Sequence, residues 1–141
     1  MKQFGIGQPI RRVEDRRFLT GHGRYLDDIA RSRQAHAVLL RSPHANARIR
    51  ALDTSAAAAL PGVLAVLTGE DLARDGIGTI PCMTGLTNRD KSAIAMPPRP
   101  ALARDRLRHV GDAVAMVVAE TAAAARDAAE RIAVEIGRAH V

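Results

Sequence analysis

A chain of 141 residues that is 47% apolar has room for one domain with a real core, but only 2% of its residues are aromatic. Such a core must be built from Ala, Val, Leu and Ile, which gain less apolar area per residue than rings do. The formal charge of +6 is carried almost wholly by arginine, with Lys2 and Lys91 the only lysines, and the arginines stand among acids, which argues against a nucleic-acid surface built of clustered cations.

Residues 1–33 are polar and turn-rich with little periodicity, and read as an arm lying over a surface. Within it, Val13 to Ile29 (VEDRRFLTGHGRYLDDI) sets acids and arginines around a Gly-His-Gly turn. The domain proper is expected over 34–135. Ala35 to Leu40 reads as a buried strand stopped by Ser42-Pro43, and Ala47 to Leu52 alternates apolar residues with arginine, as a strand with one wet face does. Asp53 or Thr54 is placed to cap a helix through Leu60, which Pro61-Gly62 ends. A strand over Val63 to Leu67 and a helical turn from Thr68 to Leu72 follow.

From 73 to 104 the pattern is lost: Pro81, Pro97, Pro98 and Pro100 with Gly76, Gly78 and Gly85 predict a long irregular loop. The nearly continuous apolar run Val110 to Glu120 predicts a strand buried on both faces. Thr121 can cap a helix to about Ile132 with Ala122, Ala125, Ala129 and Ile132 on its apolar stripe. A last strand begins at Ala133-Val134. The ending Glu135 to Val141 (EIGRAHV) does not continue that strand, and it can be encoded by a stretch containing the start of a common short-read sequencing adapter. Residues 136–141, including His140, are therefore expected to be adapter read-through and are left out of the expected fold.

The candidate chemistry is sparse. Gly5-Ile6-Gly7 and Gly21-His22-Gly23 lack the preceding strand and following helix of a phosphate loop, and read as turns. His22, His36, His44 and His109 show no metal-ligand spacing, and Cys82 has no second cysteine. Glu14-Asp15 and Asp27-Asp28 offer carboxylates without an evident partner. No catalytic, cofactor-binding or metal-binding residue is assigned. The lone thiol suits a reducing compartment, and Lys2, Arg11, Arg12, Glu14 and Asp15 stand where a signal peptide needs an apolar core. No apolar run reaches the ~20 residues that span a bilayer. The expected location is cytoplasmic.

Four stretches in order, RRVEDRRFLTGHGRYLDDI, LLRSPHANARI, LPGVLAVLTGEDL and RPALARDRLRHVGDAVAMVVAET, together resemble the N-terminal α/β-hammerhead domain of the molybdenum-binding large subunit in the xanthine dehydrogenase, aldehyde oxidase and carbon monoxide dehydrogenase family. Two positions depart from the family pattern: Asn46 replaces a histidine, and Gly111-Asp112-Ala113-Val114 replaces Gly-Glu-Pro-Val. The resemblance implies an α/β (α+β) fold: a mixed sheet with two or three helices and an extended N-terminal arm. It also implies an oxidoreductase that takes oxygen from water, with a molybdopterin-type cofactor on later domains of the same subunit and iron-sulfur and FAD centres on partner subunits or domains. This portion is then structural, binds none of those groups, is inactive alone, and belongs to an oligomer when complete. Val13 to Ile29 becomes a docking arm for the later domains or the iron-sulfur partner. A freestanding protein-binding module presenting 73–104 is the alternative; a nucleic-acid-binding domain is disfavoured by the interspersed acids.

Overall fold

The structure is a computed structural model that describes residues 7, 11–82 and 85–138. The chain forms two compact units, Met1–Gln34 and Ala35–Val141.

In the first unit, helix α1 (Asp15–Leu19) and a 3-10 turn (Leu26–Asp28) replace the expected lack of regular structure, and neither contains a buried residue. Both are held by local bonds that apolar periodicity does not register. Asp28 Oδ2 accepts from the Tyr25 amide at 2.9 Å, and the rings of Phe18 and Tyr25 stack with centroids 5.7 Å apart.

The second unit consists of strands β1 (His36–Arg41), β2 (Ala47–Asp53) and β3 (Val63–Thr68), with helices α2 (Ser55–Ala58) and α3 (Gly69–Arg74) following β2 and β3. Strands β4 (Arg106–Leu107), β5 (Ala113–Ala119) and β6 (Ala133–Arg138) complete it, with helix α4 (Ala122–Glu130) between the last two. The three helices match the expectation. The strands, however, form two three-stranded sheets, β1-β5-β3 and β4-β2-β6, whose pairings are all antiparallel.

Central position explains β5. Paired on both edges, it buries Ala115, Val117 and Ala119 beside Ala125, Ala128, Ala129 and Ile132. Val114 instead joins Ala47, Ala103 and Leu107 in a second cluster. Leu40, Leu52 and Val134 pack against both clusters, which makes them the seam of the unit. The α4 stripe buries Ala128 with the expected Ala125 and Ala129, while Ala122 is only half-buried, and Thr121 accepts from the Ala124 amide at 3.1 Å, as an N-cap does.

Several local expectations change. Strand β1 is an edge strand whose burial alternates, so its apolar run does not mean burial on both faces. Helix α2 stops at Ala58, and Asp53 rather than Thr54 supplies the side-chain acceptor, for the Ser55 amide at 2.9 Å. Helix α3 runs two residues into the 73–104 segment, and near its far end Leu102 and Ala103 are buried core residues; the Ala103 amide donates to Ala113 O at 2.7 Å. Strand β4, unforeseen, is two residues long and gains its identity only by pairing with Ala47 and Arg48.

At the ending the last strand is longer than expected. Strand β6 continues through Glu135, Ile136 and Gly137 to Arg138, pairing residue by residue with Ala47 to Ile49, and Ile136 packs on the second cluster. Ladder bonds are made by backbone groups, so the open edge of β2 accepts a sequence with little strand character of its own. Residues 139–141, with His140, lie outside the described residues, as do Gly5 and Ile6.

Candidate functional site

The Gly-His-Gly turn has a local explanation. The His22 amide donates to Arg17 O at 2.8 Å and the Gly21 amide to Phe18 O at 3.1 Å, with Gly21 at φ +72°: the two-bond closure of a helix C-terminus that a left-handed residue permits. Gly23 lies against the Phe18 ring so closely that any Cβ there would collide with it. The turn thus ends α1 and seats a ring.

In the second unit the polar chemistry gathers where β1 meets the turn before β5. Ser42 is the joint: its amide donates to Asp112 O at 2.9 Å, its carbonyl accepts from the Gly111 amide at 2.7 Å, and its hydroxyl bonds the backbone of His44. It is the one buried polar side chain among the described residues. Arg41 donates to Gly111 O at 2.9 Å, and Asp112 accepts from the Arg108 amide at 3.0 Å with His109 Nε2 3.7 Å away. Beside this joint opens a cleft of about 380 Å³ whose lining includes Arg41, Arg99, Arg108, His109 and Asp112. Its far wall is fixed by the Ile80 amide donating to Arg99 O at 2.8 Å.

Three arginines and one aspartate among its lining residues give the cleft a net positive composition, which suits carboxylate or phosphate oxygens. Among its described lining residues no nucleophile stands beside a base. Sequence reasoning missed it because residues 41, 99 and 108 converge only through the fold.

The remaining candidates are placed separately. His36 begins β1, His44 is turned back on Ser42, and Cys82 is half-buried in the irregular segment. Many arginines are occupied: Arg104 grips Glu70 with two bonds of 2.9 and 3.1 Å, Arg74 meets Asp71 at 2.8 Å, and Arg106 donates to Asn46 at 3.0 Å. The glutamate holds the Arg104 pKa above its ordinary value. Asn46, where the family pattern has histidine, is thereby a partner for β4.

A close approach fixes the end of the irregular segment. A Cβ on Gly69 would fall 2.7 Å from Ala103 O and 2.8 Å from Leu102 O, so only glycine lets α3 begin against that backbone. Thr68 and Asp71 cap the same helix reciprocally, and the Thr68 hydroxyl and amide hold the Asp71 carboxyl below its ordinary pKa.

The chain's sequence and fold match a known domain. The family described as "Aldehyde oxidase and xanthine dehydrogenase, a/b hammerhead domain" matches residues 20–138. The chain belongs to that family. It is 43% identical over 131 residues to the nicotine 6-hydroxylase large subunit of Paenarthrobacter nicotinovorans, covering 93% of this chain and 15% of that one. Among solved structures it resembles a Cu,Mo-CO dehydrogenase, with TM-score 0.77 and 36% identity over 96% of this chain and 16% of the other. Quinoline 2-oxidoreductase from Pseudomonas putida 86 gives TM-score 0.75 and 41% identity, with the same two coverages. The hammerhead domain described above therefore spans about 15% of the length of such relatives.

A metal is named in one of those structures, so the donor set of this chain bears on whether it could hold one. Among the described residues no three His, Cys, Asp or Glu side chains converge as ligands. The described side chains therefore offer no protein-ligated metal centre. No described helix is long and apolar enough to cross a membrane.

Proposed function

We propose that this hammerhead domain is one part of the molybdenum-binding large subunit of a hydroxylase-type oxidoreductase, and that its own role is structural and interface-forming. The observation that carries the reading is the pair of coverages: 93% of this chain matches, but only 15% of the relative. In this reading the molybdopterin-type cofactor belongs to the rest of the subunit, iron-sulfur and FAD centres belong to partner subunits or domains, and the chain alone is inactive. The substrate would be an aldehyde, a xanthine-like heterocycle or carbon monoxide, oxidised with oxygen from water.

Val13 to Ile29 serves as a docking arm onto the later domains or the iron-sulfur partner. Its support is the exposure of Val13, Leu19 and Leu26, each above 85%, since apolar side chains presented together mark an interface. In this reading the location is cytoplasmic; its support is the single cysteine of these 141 residues, which suits a reducing compartment.

Sequencing the source DNA past the codon for Val134 tests the reading. A frame that runs on for several hundred residues is expected. A stop codon there would overturn it in favour of a freestanding binding module. The same read decides the origin of residues 136–141: adapter-matching codons mark them as read-through, and other codons mark them as native.

A further inference from the structure

The two faces of the sheet β1-β5-β3 are unequally covered. One packs on α4 and buries Ala115, Val117 and Ala119 completely. The other is defined by two cross-strand rows, Ala37-Val118-Ala65 and Leu39-Met116-Leu67, which the register places side by side. All six residues are apolar and none is buried; Leu39 is 37% exposed, and Leu64, the residue bulged out of register beside them, is 57% exposed. Exposed singly such residues need no explanation, but six in two adjoining rows form a contiguous apolar patch. Arg41 ends β1 just past a register shift at Leu40, and it lines the cationic cleft with Arg99 and Arg108 at that end of the sheet.

We propose that this face is a docking surface for a segment of the same polypeptide lying outside the 141 residues, an element with an apolar stripe and an acidic end that meets Arg41 and Arg108. The proposal rests on the reading of the chain as one domain of a longer subunit. Two considerations select the occupant. Relatives carry about 85% of their length outside the matched region, since the chain covers 15% of them, so most of the polypeptide is available to lie here. The patch is also small: six residues, most already half-covered, fall short of the ~800 Å² per partner that a stable complex between separate molecules buries. A tethered segment needs far less, because the tether supplies an effective concentration of roughly millimolar. Arginine at one end then sets register, as charge does at interfaces.

The test is side-chain footprinting of the complete subunit, with labelling at Leu39, Met116 and Leu67 compared with the same peptides after unfolding. If the face is covered, labelling is slowed roughly tenfold or more at all three, as for a core residue. Labelling slowed only the few-fold that 37% exposure of Leu39 implies would overturn the proposal while leaving the longer-subunit reading intact. Protection that disappears on dilution would also overturn it, assigning the face to a second copy. L39D in the complete subunit should restore labelling at Met116 and Leu67 without changing that at Val117, on the opposite face; unchanged protection at Met116 and Leu67 would contradict the assignment. A stop codon after Val134 would remove both readings together.

Discussion

The two units solve the same problem with opposite materials. The segment from Glu14 to Ile29 holds both stacked rings, Phe18 and Tyr25, yet its helix and 3-10 turn bury nothing. The unit from Ala35 onward has no aromatic residue in its sequence and contains every buried apolar side chain among the described residues. Rings held by local caps order a short segment; small aliphatic side chains make a core only when many close together, with no room to relax. Mutations should therefore act globally in the second unit and locally in the first.

The strongest test of that contrast is Leu107→Ala. Leu107 is fully buried in the small second cluster, and its truncation should cost about 2–5 kcal/mol in urea unfolding. Gly69→Ala comes next, at about 1–3 kcal/mol, because the new methyl meets backbone oxygens that cannot rotate away. Thr121→Ala removes the α4 cap and should cost about 1 kcal/mol. Phe18→Ala, in contrast, should leave the global transition within about 0.5 kcal/mol while abolishing the ring stack; a large loss would mean that the first unit supports the second.

The smallest effect is one of pH. The carboxyl of Asp71 is held low by Thr68, that of Asp53 by Ser55 and that of Asp90 by Ser92. A folded pKa below the unfolded one stabilises the fold above the ordinary carboxylate range, and that contribution is lost as pH falls through the lowered value. Melting temperature should fall below about pH 4, and Asp71→Asn should flatten part of that fall. The same slope in the variant would show that the cap carries none of it.

Much of the second unit was legible because its signals are local. Thr68 and Thr121 announce their helices by cap chemistry, and β5 announces itself by an unbroken apolar run. What was illegible depends on distant partners. Strand β4 exists because Ala47 and Arg48 offer an edge, β6 runs to Arg138 because β2 continues beside it, and Leu102-Ala103 are core because Gly69 admits them. The cationic cleft is the extreme case, with Arg41 and Arg108 brought together at Ser42 and the turn before β5, and Arg99 held by the Ile80 amide. The Gly-His-Gly turn was legible as a turn, although its helix was not.

The division of labour within the subunit is the central claim, and elemental analysis tests it most directly. The complete product of the reading frame and the 141-residue chain would each be purified from cells supplied with molybdate, and bound molybdenum measured against protein. Stoichiometric metal in the complete product and none above background in the 141-residue chain is the expected result. Stoichiometric molybdenum retained by the chain alone would contradict the account, because the reading assigns the cofactor to the rest of the subunit.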